Sequence, residues 1–106
     1  MTELPPDTVI EPIFLVEATY APDAAETRPR YRAEHLARVV ALRNGGTLVE
    51  AGGCLDMSSS VLLVRAPDAD AARAIAAEDV YMRNGVWVEV RVRAFGRVCR
   101  PAEIAG

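Results

Sequence analysis

Hydrophobic and polar positions divide the chain into six regular stretches punctuated by Pro, Gly and Asp. Ile13 to Tyr20 reads IFLVEATY, a β-branched and aromatic run bounded by Pro12 and Pro22, which predicts a strand. A loop, APDAAETRP, follows. The stretch RYRAEHLARVVALRN then takes helical periodicity. Ala33, Leu36, Ala37 and Val40 share one face with Val39 beside them, and Glu34 and Arg38 form an i,i+4 pair on the opposite face. Gly45 and Gly46 end this helix. Residues 47–52, TLVEAG, predict a second strand, GGCLDMSSS a turn, and VLLVRA, residues 61–66, a third strand. Pro67 and Asp68 open a second helix, DADAARAIAAED, with Asp68 or Asp70 as its N-cap. VYMRNG is a single turn closed by Gly85. Residues 86–95 alternate, with Val86, Val88, Val90 and Val92 on one face and Trp87, Glu89, Arg91 and Arg93 on the other, the pattern of a half-buried strand.

The order strand, helix, strand, strand, helix, strand is the ferredoxin-like βαββαβ arrangement of an α+β domain. Right-handed crossovers place both helices on one face of a four-stranded antiparallel sheet. The first and third strands are apolar on both faces, as central strands are. The second and fourth carry charges on one face, as edges do. Two helices cover only one sheet face, so the central strands present Leu, Val, Ile or Phe to the other. Such a face on a small chain marks an interface. The expected partner is a second copy of the chain, a homodimer with two sheets packed face to face around a barrel-like interior. Residues 1–12 are expected to form a flexible arm, 13–100 the domain, and 101–106 a tail.

The composition narrows the function. The chain has 106 residues, a formal net charge of -3, 51% hydrophobic and 25% charged residues, which fits one globular domain. All 12 basic residues are Arg, dispersed in an acidic chain, so no nucleic acid is expected as partner. No apolar stretch approaches membrane-spanning length, and MTELPPDTVIEP is no signal peptide, so the expected setting is cytoplasmic, without membrane contact. Cys54 and Cys99 are then expected to be reduced, packing residues. The paired glycines Gly45–Gly46 and Gly52–Gly53 lie in no phosphate-binding motif, and one His with two Cys builds no ordinary zinc site. No cofactor is expected.

His35, the single histidine, falls at the margin of the helix face, near Val39 and Leu42 and one turn after Tyr31. At that position it either packs at the core boundary or works as a general acid or base. Asp79 either terminates the second helix or orients His35. Asp56 and Ser58 to Ser60 are ordinary turn formers, although Ser60 at a strand start also suits hydrogen bonding to a substrate oxygen. Arg28, Arg30 and Arg32 are either solvated or meet an anion through their forks, and their place before a helix opposes its dipole. His35, Asp79 and Asp56 are conceivable metal ligands, but no spacing favours that reading. Trp87 falls on the polar face of the last strand, where it either lines a pocket or covers a neighbouring chain.

Several segments in order resemble the YCII-related (YciI-like) family of small bacterial proteins. Arg28-Pro29 followed by His35-Leu36 is similar to its Arg-Pro and His-Leu helix opening. Gly46-Thr47-Leu48-Val49-Glu50-Ala51-Gly52 is similar to its Gly-to-Ala-Gly turn, Ser59-Ser60-Val61-Leu62-Leu63-Val64 to its Gly-Ser-Leu-Leu-x-Val strand, Asp79-Val80-Tyr81-Met82-Arg83-Asn84-Gly85 to its Asp-Pro-Tyr-x-x-x-Gly, and Val90-Arg91-Val92-Arg93-Ala94-Phe95 to its Val-x-Val-Arg-Pro-Trp. The chain departs from the pattern at Gly53, Ser59, Val80 and Ala94-Phe95, and Val80 removes the backbone restriction a Pro places on the residue before it. The resemblance covers residues 13–98. It implies a dimeric α+β barrel with a His–Asp acid–base pair in each protomer, and one branch of the family performs dehydrochlorination of a chlorinated hydroxyquinol. Carried onto this chain, the pair is His35 and Asp79. The remaining candidate substrate contacts are Ser60, Tyr31, Arg28, Asp56 and Tyr81, with no metal ligand. The expected activity is cofactor-independent acid–base chemistry of lyase, isomerase or dehalogenase type on a small cyclic or aromatic oxygenated substrate. The alternative is a non-catalytic module that binds a small molecule or another protein.

Overall fold

A computed structural model describes residues 3–104. The outermost residues of the expected arm and tail, 1–2 and 105–106, lie outside the described residues. The elements are β1 (Val9–Tyr20), α1 (Ala24–Asn44), β2 (Leu48–Gly53), β3 (Ser59–Val64), α2 (Ala69–Ala77), α3 (Val80–Arg83) and β4 (Trp87–Cys99), then a 3-10 turn at Pro101–Glu103. The sheet order is β2-β3-β1-β4, every pairing antiparallel, so the apolar strands β1 and β3 are central. This is the expected ferredoxin-like α+β architecture. No helix among the described residues is long and apolar enough to cross a membrane.

Four local expectations are corrected. First, β1 starts at Val9, because Val9 to Pro12 pair with Cys99 to Gly96 and extend the sheet into the segment expected to be a flexible arm. Second, α1 starts at Ala24, inside the expected loop. Its interior Pro29 removes one amide donor, but Ala24 packs in the core at 1% exposure and anchors the first turn. Arg28 therefore lies beyond the first turn, where the helix dipole no longer acts on it.

Third, α1 turns a different face inward. Ala24, Tyr31, His35, Val39 and Leu42 point to the core, whereas Leu36 and Val40 are exposed. The expected Glu34–Arg38 pair does not form. Arg38 reaches Asp79 at 3.2 Å and Glu34 meets Arg83 at 3.4 Å. Fourth, Trp87 is buried and Val88 exposed. The β1–β4 register pairs Thr19 with Glu89 but Tyr20 with Trp87, so Val88 is an extra residue in the ladder. This bulge moves Trp87 onto the face of Val90 and Val92. Cys54 and Cys99 are both free, Cys99 buried as expected and Cys54 exposed.

The far end of the sheet closes on an ionic cluster. Glu11, 6% exposed, accepts from Arg65 Nε at 2.6 Å and Arg97 Nη1 at 3.1 Å, and Arg65 Nη2 also donates to the carbonyl of Glu103 at 3.0 Å. The bond from Arg65, aided by Arg97, overrides burial and holds the Glu11 carboxyl below the usual glutamate range. Glu11→Ala is expected to cost about 1.5–3 kcal/mol in chemical denaturation, toward the lower value because both arginines keep solvent contact. A lowered carboxyl stabilises the fold above its unfolded pKa. The wild-type advantage over the variant is therefore expected to shrink as pH falls below about 4.3.

Candidate active site

The site forms where the middle of α1 crosses the short turn α3. Asp79 ends the link from α2 and is the N-cap of α3. Its backbone is extended (φ -70, ψ 143) and Oδ1 accepts from the Tyr81 amide at 2.9 Å. Asp79 keeps this conformation although Val80 stands where the family has Pro, because the cap bond holds it. Gly85, at φ 71, ends the turn and sends the chain into β4.

His35 meets Asp79 at this point. Its Nδ1 lies 2.8 Å from Asp79 Oδ1, while Arg38 Nη1 donates to Oδ2 at 3.2 Å. Both members of the pair are buried, at 8% and 2% exposure. Burial alone would raise the Asp79 carboxyl, but the bonds from His35, the Tyr81 amide and Arg38 outweigh it and hold the group below the usual aspartate range. An ionised carboxylate only accepts, so Nδ1 carries a proton, and in the neutral ring Nε2 is then the nitrogen with the lone pair. The His35 ring stacks on Tyr81 with centroids 3.8 Å apart and an interplanar angle of 8°, and Trp87 meets both rings edge-on at 5.3 and 5.4 Å. The imidazole is thus fixed on one face by Tyr81, at its edge by Trp87 and at one nitrogen by Asp79. Burial and the neighbouring Tyr20 raise the Tyr81 hydroxyl pKa, so it stays protonated.

A cavity of about 330 Å³ opens beside this group, within the range of small-molecule sites. His35, Tyr81, Trp87, Tyr20, Ser60, Arg28 and Arg32 line it, with a rim from Cys54, Leu55 and Met57 in the β2–β3 turn. Ser60 Oγ donates to Tyr20 Oη at 2.9 Å, which leaves the tyrosine's own proton free to donate.

The structure therefore brings His35, Asp79, Ser60, Arg28 and Tyr81 to one place and leaves two candidates outside. Asp56 is exposed, and its Oδ1 accepts from both Ser58 N and Ser58 Oγ, so it shapes its own turn. Tyr31 packs against the core under Arg30 and does not line the cavity. Two contributors escaped the sequence reading. Arg38 sits one turn after His35 on the same side of α1, a spacing that signals a shared partner. Tyr20 shares the inward parity of Val16 and Ala18 along β1. Of the two alternatives for Trp87, the structure takes the pocket-lining one, although only the bulge turns it inward. Among the described residues, no group of three or more His, Cys, Asp or Glu side chains stands close enough to hold a metal ion.

Fold and site together define a small ferredoxin-like α+β domain with a His–Asp pair set in the wall of a cavity. The YCII-related domain model matches residues 13–96, and the chain belongs to that family. Among solved structures it resembles the 5-chloro-2-hydroxyhydroquinone dehydrochlorinase of Burkholderia phenoliruptrix AC1100, in complex with 2,5-dihydroxybenzoquinone. The TM-score is 0.67 at 22% identity, over 76% of this chain and 90% of that one. No curated protein matches the sequence.

Proposed function

We propose that this chain is a cofactor-independent acid–base enzyme of lyase, isomerase or dehalogenase type, acting in the cytoplasm on a small cyclic or aromatic oxygenated substrate. The observation that carries this reading is a cavity-lining His35 held through Nδ1 by a buried carboxylate, which leaves Nε2 as the nitrogen without a protein partner. In the proposed step Nε2 removes a proton next to a carbonyl or enol, and Asp79 stabilises the imidazolium. The electron pair of the broken C–H bond then moves toward oxygen, or forms a C=C bond as halide departs. In the first case the imidazolium returns the proton to another atom; in the second it releases it to solvent.

The test begins with 5-chloro-2-hydroxyhydroquinone, the compound named for the structural relative, and extends to other enolisable ring compounds. Turnover by the wild type and its loss in His35→Gln support the reading. Equal turnover in both overturns it, and tight binding without turnover in either makes the chain a binding module.

We propose further that the chain works as a homodimer through its open sheet face. Leu15, Val61 and Leu63 form a half-buried apolar strip there, bordered by Glu17 and Arg93 at 3.9 Å, a pattern suited to a second copy. Sedimentation is expected to return twice the 11.5 kDa chain mass, and Leu63→Glu to shift it toward monomer. A monomer mass at every concentration tested would sink the proposal.

A further inference from the structure

We infer that the cavity recognises a planar organic oxyanion and that Arg28 and Arg32 hold its charge. The inference rests on reading the cavity as the substrate site and specifies what enters it.

The first observation is how the arginines are used. Eight of them (Arg38, Arg43, Arg65, Arg83, Arg91, Arg93, Arg97 and Arg100) stand within 3.9 Å of a carboxylate. Arg73 donates to the Val90 carbonyl at 2.8 Å. Among the described residues, Arg28, Arg30 and Arg32 alone have neither kind of partner. Arg30 lies over the Tyr31 ring at 5.6 Å and takes no part in the cavity, whereas Arg28 and Arg32 both line it.

The second observation is the condition of Arg28. Its Nε is buried with no hydrogen-bond partner, as is Nε1 of Trp87, another residue that lines the cavity. Both atoms only donate, so an acceptor is what the site lacks. A guanidinium edge taken from water without a partner is costly to the free protein, and an anion that supplies the missing acceptor relieves that cost.

The third is electrostatic. No Asp or Glu side chain lines the cavity, so no carboxylate on its wall offsets the two guanidinium groups, and Arg28 has only the face of the Tyr20 ring at 5.9 Å. Arg28 and Arg32 stand at i and i+4 on one helix, a like-charge spacing that repels. A delocalised oxyanion between them turns that repulsion into attraction on both sides and matches the planar forks.

Spacing along α1 relates the anion to the base. Arg28, Arg32 and His35 follow one ridge of the helix, and a rise of about 1.5 Å per residue sets the two arginines about 10 and 4.5 Å from His35 along the axis. One ring spans that interval, with its charged edge at the arginines and its opposite edge toward His35. Tyr20, Tyr81 and Trp87 give this ring aromatic walls. The negative oxygen is either a ring carboxylate or a deprotonated ring hydroxyl, and matched probes separate the two.

The experiment is calorimetric titration of the wild-type protein with benzoate against benzamide, and with 4-nitrophenolate against 4-nitroanisole. At least one anion is expected to bind about tenfold or more tighter than its neutral twin. The pair that shows the preference identifies the kind of oxyanion. In the double variant Arg28→Gln/Arg32→Gln the preference is expected to vanish while the neutral twin keeps its affinity. A double Lys variant retains charge without the fork and is expected to keep part of the preference. Arg32→Gln alone serves if the double variant does not fold, with a reduced preference expected. Equal binding of anion and neutral twin, no binding of either anion at millimolar concentration, or a preference that survives Arg28→Gln/Arg32→Gln overturns the inference. His35→Gln is titrated alongside and is expected to keep the preference for the anion. If it does so but also keeps wild-type turnover, the acid–base reading fails while the anion site stands.

Discussion

Asp79→Ala is expected to destabilise the fold by about 3–5 kcal/mol, far more than the size of the lost side chain suggests. The carboxylate is 2% exposed and takes bonds from His35, Arg38 and the Tyr81 amide at once. Its removal leaves a guanidinium, an imidazole N–H and the first turn of α3 without their acceptor. Denaturant titration measures the loss. A cost below about 1 kcal/mol would show that water replaces the carboxylate and that the pair is not structurally coupled to the fold. Asp79→Asn separates charge from shape, since the amide oxygen still serves as the cap. Its stability cost is expected to be the smaller of the two. The pH dependence has a definite sign. Asp79 is held below its usual range, so its stabilisation is complete above its unfolded pKa and is lost as pH falls below about 3.9 toward the folded value. The gap between wild type and Asp79→Ala is therefore expected to close in acid.

On the proposed acid–base role, His35→Gln is expected to lower kcat by about 10²–10⁴-fold, the usual contribution of a positioned acid–base group. Most of the effect should appear in kcat, because the arginines and aromatic walls proposed to bind the ring remain. Gln fills much of the same space against Tyr81, and the melting transition checks that the fold survives. Asp79→Asn is expected to approach the same loss, since it no longer favours the Nδ1–H tautomer or stabilises the imidazolium. The double variant His35→Gln/Asp79→Asn should then be little worse than either single one. Losses that instead multiply in the double variant would mean that the two residues act separately.

Much of this arrangement is legible along the chain. The β-branched and aromatic run of Ile13 to Tyr20, the Gly45–Gly46 stop and the Asp68 cap are local signals, and each marks its element to within a few residues. The start of α1 is not legible in this way. Pro22 and Pro29 both argue against a helix there, and the packing of Ala24 against the sheet outweighs them. The inward face of α1 was misread for a related reason. Leu36 and Val40 look like core residues on a wheel, but packing on α3 and β2 sets the helix so that Tyr31, His35 and Val39 point inward instead. Asp79 and His35 are each visible as candidates, yet their distance is not, because 44 residues separate them in the chain.

The sequence by itself determined the order of elements, the central placement of β1 and β3, and the pool of candidate groups. Those follow from periodicity and from which side chains are present. Tertiary structure decided which of them meet. The bulge at Val88 turns Trp87 inward, the rotation of α1 lays His35 on Tyr81, and Arg38 leaves its expected helix partner for Asp79. Each depends on pairing between segments far apart in the chain, where the energy of a buried charge or ring exceeds the weak local preference it overrides.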